Sequence, residues 1–121
     1  MTTVGSSPPP MAVSTAFLDF VLEQLSGVRH VTHKRMFGGV GLYSDDTFFG
    51  IIDNDTLFLK VDDRTRPRYE AAGMPPFTPI PDKPPMRGYH QVPPDILEDA
   101  DALAEWTRDA CAVPPTRKKR R

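Results

Sequence analysis

Apolar side chains recur along this chain first at helical spacing and then at alternating spacing. Ser14 is a good helix N-cap, and the positions after it form an i, i+1, i+4, i+5, i+8 stripe. The stripe consists of Phe17, Leu18, Val21, Leu22 and Leu25. Gly27 follows and is expected to end the helix. The pattern therefore predicts one amphipathic helix lying on a core.

Four strand-like segments follow this helix and are separated by turn residues. They span 31–37, 40–43, 47–52 and 56–61. The connections at 44–46 and 53–55 have hairpin length, so neighbouring segments should pair in an antiparallel meander. The segment 47–52 is apolar at both alternating sets of positions, which is typical of a strand covered on both faces. We expect a helix on one face, and another helix, the proline-rich loop or a second subunit on the other.

The second half of the chain is organised around a cluster of prolines. Asp62 and Asp63 can cap a short helix that reaches Ala72 and stops at Gly73. The segment 75–85 then holds six prolines and is predicted to be a rigid loop. This loop would serve either as a tether across one end of the sheet or as a docking segment for a partner.

A fifth strand is predicted at 86–92, and a final helix from Pro94 to about Ala112. The predicted fold is α+β, a two-layer sandwich in which helices near both ends of the chain pack on an antiparallel meander of four to five strands. This domain should span 14–113, between disordered segments at 1–13 and 114–121.

Composition limits what the chain can be. Its 121 residues, 39% of them hydrophobic, allow one core and little more. The single cysteine, Cys111, cannot form an intramolecular disulfide, which is typical of a reducing compartment. No apolar run approaches the roughly eighteen residues of a membrane span. We therefore expect a cytoplasmic protein that does not use a membrane.

Charge is distributed unevenly along the chain. The last five residues are all cationic: Arg117, Lys118, Lys119, Arg120 and Arg121. Subtracting these five from the 15 Lys and Arg leaves 10 against 16 Asp and Glu, so residues 1–116 carry −6. An acidic body repels polyphosphates on average. Any DNA contact is therefore expected from this tail or from a local basic patch, and an accessory DNA-binding role is the alternative function.

Candidate catalytic chemistry is sparse. His30 and His33 lie beside Lys34 and Arg35, which would suit a general base next to a cationic anchor. No nucleophile or acid partner accompanies them, and His90 is the remaining histidine. We therefore expect no catalytic residue, no metal site and no cofactor. The preferred hypothesis is a protein that is not an enzyme.

One glycine-rich motif stands between the first two strand segments. Three glycines within four residues disfavour a regular strand unless the backbone bends or is approached closely. The motif residues are Arg35, Met36, Phe37, Gly38, Gly39 and Gly41. They are expected either to shape the sheet or to contact a partner.

This motif and three later segments together resemble the N-terminal domain of the TfoX/Sxy competence regulators. The segments are Arg-Met-Phe-Gly-Gly-Val-Gly-Leu-Tyr at 35–43, Leu-Phe-Leu-Lys-Val-Asp at 57–62, Ala-Ala-Gly-Met-Pro-Pro-Phe at 71–77 and Tyr-His-Gln-Val-Pro at 89–93. The resemblance covers about 13–112, which corresponds to that domain standing alone.

The resemblance implies a fold similar to secretion-chaperone-like domains, which often form homodimers. It also implies a non-enzymatic regulatory or adaptor module in the transcriptional control of bacterial competence. Such a module would act through a protein partner, for example a transcription factor such as the cyclic-AMP receptor protein.

Overall fold

A computed structural model describes residues 14–36, 39–78 and 86–113 of the chain. The helices in these ranges are α1 (Thr15–Gln24), α2 (Arg66–Ala71), α3 (Pro94–Leu97) and α4 (Ala100–Cys111). The strands are β1 (Val31–Met36), β2 (Gly39–Ser44), β3 (Thr47–Asp53), β4 (Thr56–Lys60), β5 (Pro76–Phe77) and β6 (Met86–Gln91). The predicted α+β class is confirmed.

Within the described ranges the strands form one antiparallel sheet in the order β1-β2-β3-β4-β6-β5. The predicted meander of the first four strands is confirmed. Asp45, Asn54 and Asp55 have φ near +53°, as tight two-residue hairpin turns require. The sheet has one strand more than predicted, because β5 lies within the segment expected to be a loop. Pro76 is tolerated there because β5 is an edge strand.

One hydrophobic core joins the helices to one face of the sheet. Its members from α1 are Leu18, Val21 and Leu25, and α4 contributes Leu103, Ala104 and Ala110. The sheet contributes Val40, Leu42, Phe49, Ile52, Leu57 and Leu59. Because α1 and α4 share this core with the same strand face, the helices form the second layer of the sandwich.

A β-bulge in β3 sets which side chains enter the core. Leu42 pairs with Gly50, but Tyr43 pairs with Phe48, so Phe49 has no partner in β2. The extra residue reverses the alternation at that point. Phe49 is therefore fully buried in the core, whereas Phe48 lies on the opposite face.

The start of α1 was predicted correctly, but its end was not. Ser14 caps the helix as expected, since its Oγ accepts a hydrogen bond from the Phe17 N–H at 3.1 Å. Gly27 does not end the helix, which stops at Gln24. Instead, Gly27 lies against α4, where an added Cβ would be 3.8 Å from the Ala104 Cβ.

The cap predicted for α2 is displaced. Its N-cap residue is Thr65, and Asp62 forms the preceding turn by accepting hydrogen bonds from the Arg64 and Thr65 N–H groups. The predicted stop at Gly73 agrees with its φ of +77°.

The final helix is split rather than continuous. The Asp99 backbone is extended, with φ −110° and ψ 101°, and its carboxylate caps α4 by accepting from the Asp101 and Ala102 N–H groups. A mid-helix aspartate that can satisfy two free N–H groups in this way favours a new helix start.

Several predictions fall outside the described residues. They concern the segments 1–13 and 114–121, most of the proline-rich segment, and the motif residues Phe37 and Gly38. None of the helices in the described ranges combines the length and the apolar content that crossing a membrane requires.

Candidate functional site

The face of the sheet opposite the helices carries aromatic and aliphatic side chains, and we call it the open face. Leu57 and Leu59 enter the core, so Phe58 between them lies on the open face. Strand register places Tyr43, Phe48, Ile51 and Tyr89 on the same side. None of these five belongs to the hydrophobic core. The open face is thus a second apolar surface of the same sheet.

Three of these rings form a continuous row. Tyr43 and Phe48 have ring centroids 5.2 Å apart at 63°, and Phe48 and Tyr89 are 5.9 Å apart at 69°. Such edge-to-face pairs each contribute about 0.5–1.5 kcal/mol beyond their buried area. The row crosses from β2 to β6, passing over β4 at Lys60, which pairs with Tyr89. Its rings are partly exposed.

A second aromatic pair lies beside this row. Phe58 and Phe77 have centroids 4.8 Å apart, and both are buried. Phe77 comes from β5, so this contact attaches the short edge strand to the open face. The Phe58–Phe77 pair is therefore buried at β5, whereas the rings of Tyr43, Phe48 and Tyr89 are partly exposed to solvent.

The polar groups of the open face lie at the ring ends, at Lys60 of β4 beside Tyr89, and at the margin formed by β1. Burial raises the pKa of the Tyr89 hydroxyl, and the neighbouring Tyr43 raises it further. Tyr89 therefore keeps its proton and remains a hydrogen-bond donor. Thr32 and Lys34 of β1 pair with Tyr43 and Gly41, so they lie on the open face as an exposed polar margin. Tyrosine and phenylalanine rings with polar groups around them are typical of a protein interface.

The glycine-rich motif lies next to this face. Gly41 pairs with Lys34 on one side and Ile51 on the other, so the open face has no side chain at that point. Gly39 pairs with Met36, and Arg35 is exposed opposite Val40. The described residues of the motif therefore form the end of the antiparallel pairing between β1 and β2. Whether its residues also contact a partner remains a prediction.

Residues 23–113 match the family described as the TfoX N-terminal domain. The chain belongs to this family. The match covers all six strands described above and the helices α2 to α4, so both sheet faces lie within the TfoX N-terminal domain. No curated protein matches the chain.

The three histidines of this TfoX N-terminal domain lie in different environments. His30 is exposed with φ +46°, and its Nδ1 is 3.7 Å from an Asp45 carboxylate oxygen. His33 is exposed on β1, whereas His90 is buried on β6, four strands away in the sheet order. Within the described ranges, no three His, Cys, Asp or Glu side chains are grouped so that they could hold a metal ion.

His90 borders a cleft that sequence reasoning missed. The cleft has a volume of about 310 Å³ and is lined by Arg66, Glu70, Met74, Pro76 and His90. The His90 Nδ1 lies 3.0 Å from the Met74 carbonyl oxygen, and because a carbonyl oxygen only accepts, Nδ1 is the donor of this hydrogen bond. The lining residues come from α2, β5, β6 and the connection at Met74, which are brought together only by the fold. The cleft is large enough for a small polar molecule.

A buried carboxylate lies at the end of β3. Asp53 is 8% exposed, and its Oδ1 has no hydrogen-bond partner among the described residues. Burial raises its pKa above the ordinary 3.8, while the Asn54 N–H that donates to it opposes the rise. The folded state therefore holds the Asp53 proton more tightly than the unfolded chain does. Ionisation of Asp53 consequently lowers stability above pH 3.8, and the penalty is absent below it.

Asp53→Asn is expected to raise the free energy of unfolding at neutral pH by about 0.5–1 kcal/mol. The reason is that the amide is uncharged, so folding no longer buries an ionised group at this position. The gain should shrink as the pH falls below 3.8, where the parent carboxyl is protonated. Urea unfolding of parent and variant, at neutral pH and at a pH below 3.8, measures the gain in stability and its decrease with pH. Asp46→Asn, at an exposed turn position, is the matched control and should change little. A gain of equal size at both pH values would contradict the charge explanation.

Proposed function

We propose that this TfoX N-terminal domain is a non-enzymatic adaptor that binds a partner protein through the open face of its sheet. The observation that carries the proposal is the accessible row of Tyr43, Phe48 and Tyr89 on a sheet face that no helix of the described ranges covers. A contiguous aromatic patch on a soluble domain is characteristic of an interaction site.

The physical character of the row supports a protein partner. Tyrosine and phenylalanine offer large contact area for few rotatable bonds, so little side-chain entropy is lost on binding. Here the rings already pack against one another on paired strands, which reduces that loss further. The two tyrosine hydroxyls can hydrogen-bond to a partner at the margin of the contact.

Membership of the family supports a regulatory role for that binding. We propose that the domain takes part in transcriptional control of competence, with a transcription factor such as the cyclic-AMP receptor protein as one partner of the expected kind. The proposal also includes a cytoplasmic location, which the single free Cys111 supports.

The test is a comparison of the proteins retained by the parent chain and by Tyr43→Ser/Tyr89→Ser from an extract of the native cells. Phe20→Ser is the matched control, because Phe20 is an aromatic residue of α1 that is 37% exposed on the helical side. We expect the parent and the control to retain the same specific protein, and the double variant to lose at least about tenfold, equivalent to 1.4 kcal/mol.

Three results would overturn the proposal. Retention by all three chains, or loss only in Phe20→Ser, would place the contact elsewhere, including on the face of α1. Alternatively, the double variant could shift the mass of the particle in solution from dimer to monomer while retaining every protein. The open face would then be a homodimer interface rather than an adaptor surface.

Accessory DNA binding is the second candidate, and the run of five cations at Arg117–Arg121 favours it. If the tail binds DNA, the full chain should bind duplex DNA with an affinity that falls steeply with salt. A chain ending at Val113 should then lose that binding. Equal affinity of the two chains would exclude the tail as the DNA contact.

A further inference from the structure

Strand β1 forms the long free edge of the sheet. It pairs with β2 on one side, and no strand of the described ranges pairs with its other side. The opposite edge is β5, which has two residues, one of them Pro76 without an N–H donor. A six-residue strand with an open edge is a template for another extended segment.

The side chains of this edge are cationic on both faces of the sheet. Lys34 shares the open face with Gly41, while Arg35 pairs with Val40 and lies on the helical side. Both are exposed, and neither has an ion-pair partner within the described ranges. His33 between Thr32 and Lys34 is also exposed. This concentration of cations contrasts with the charge of −6 carried by residues 1–116.

The charges determine which strand can pair with the edge. A second copy of β1, in a register that pairs Lys34 with Lys34 or Arg35 with Arg35, would place like charges on facing strands, which is destabilising. Exposed cations on an edge strand are also a common way to prevent self-association. An acidic strand has the opposite balance, because its carboxylates would face Lys34 on one side of the sheet and Arg35 on the other.

We propose that β1 accepts an acidic, extended segment of a partner protein as an additional strand of the sheet. Backbone hydrogen bonds along the free edge would hold the segment, and its carboxylates would pair with Lys34 and Arg35. This is a second contact surface beside the open face. It does not require that the open face binds a partner, so the two proposals can fail separately.

The probe for this site is a synthetic peptide as long as β1, with both ends blocked, in which two adjacent glutamates lie between valines, so that one carboxylate lies on each face of the sheet. Titration is followed by the amide NMR signals of the full chain, together with hydrogen exchange. We expect the peptide to shift the signals of residues 32–35 and to slow exchange of the β1 amides that point outward. Affinity should fall as salt is raised, because the pairs are exposed.

Two matched controls separate strand addition from simple charge attraction. The same peptide with alternate backbone nitrogens methylated keeps its charge but loses hydrogen bonds, and it should bind about tenfold more weakly or worse. Lys34→Gln/Arg35→Gln should weaken binding about fivefold, given two cross-strand charge pairs. Arg64→Gln/Arg108→Gln removes the same net charge from exposed positions off the edge and should leave affinity nearly unchanged.

Three outcomes would overturn the proposal. The first is no change at residues 32–35 at any peptide concentration, and the second is equal binding by the methylated peptide. The third is that duplex DNA shifts these signals in the parent chain but not in Lys34→Gln/Arg35→Gln, while the acidic peptide has no effect on them. That result would make β1 a phosphate contact instead of a strand acceptor.

Discussion

Gly50→Ala is expected to destabilise the domain by roughly 3 kcal/mol, the upper range for forcing an extra group into a packed interior. Gly50 lies in β3 between Leu42 and Leu59. An added Cβ would be 2.8 Å from the Phe58 carbonyl oxygen and 3.2 Å from the Leu59 Cδ2. The closer atom belongs to the backbone of the neighbouring strand, so β3 and β4 would have to separate. Urea unfolding measures the loss.

Gly88→Ala is the control for this prediction. Gly88 also lies in a strand, β6, but an added Cβ there has no atom within 4 Å. Its substitution should change stability by less than about 0.5 kcal/mol or raise it slightly, because alanine restricts the unfolded chain. A similar loss in both variants would mean that strand glycines are needed for backbone freedom rather than for the close approach at Phe58.

Tyr69→Ala is expected to cost about 4 kcal/mol, within the range measured for truncating large buried aromatic side chains. Tyr69 is 1% exposed and belongs to the core. Its ring centroid lies 4.8 Å from that of Trp106 and 5.8 Å from that of His90, so it joins α2 to both α4 and β6. The Arg68 guanidinium, 4.3 Å from the centroid of the Trp106 ring, covers the same junction. Thermal and urea unfolding both report this loss.

Tyr69→Phe separates the ring from its hydroxyl. The loss should be only about 1 kcal/mol, because the ring contacts remain. Burial raises the pKa of Tyr69 to about 12, from an ordinary value of 10.0. Since the folded state holds this proton more tightly, the parent should lose stability as the pH rises from 10 to 12, and Tyr69→Phe should lose less. An equal loss for Ala and Phe would show that the hydroxyl, not the packing, stabilises the junction.

Local sequence signals predicted the elements that depend on local hydrogen bonds. The Ser14 cap, the hairpin turns at Asp45 and Asn54, and the stop at Gly73 need only neighbouring residues. The break before α4 is also local, but Asp99 lies within an acidic run that a solvated helix face shows equally well. Local pattern alone therefore did not distinguish an interior aspartate from a new cap.

Features that depend on strand pairing could not be predicted in this way. The bulge at Phe49 exists because Tyr43 pairs with Phe48 while Leu42 pairs with Gly50, and one sequence does not specify that register. The two residues of β5 likewise form a strand only because they pair with β6, and the sequence of β5 alone does not show this.

The open face was only partly visible in the sequence. The apolar positions on both sides of 47–52 indicated a second surface and placed Ile51 away from Ile52. Regular alternation puts Phe48 on the same side as Ile52, however, and only the bulge moves Phe48 to the open face. The contact between Phe48 and Tyr89 requires that β6 lies next to β4, which is a property of the topology. The same holds for the cleft at His90 and for the position of β1 at the sheet edge.

The most direct test of the central claim is site-specific photo-crosslinking in the native cells, with a photoreactive phenylalanine analogue in place of Phe48. The same analogue at Glu105, exposed on α4, provides the comparison. If the open face binds a partner, position 48 should yield a crosslink to one defined protein that position 105 does not yield. A crosslink from position 105 alone, or from position 48 only to another copy of this chain, would contradict an adaptor surface on the open face.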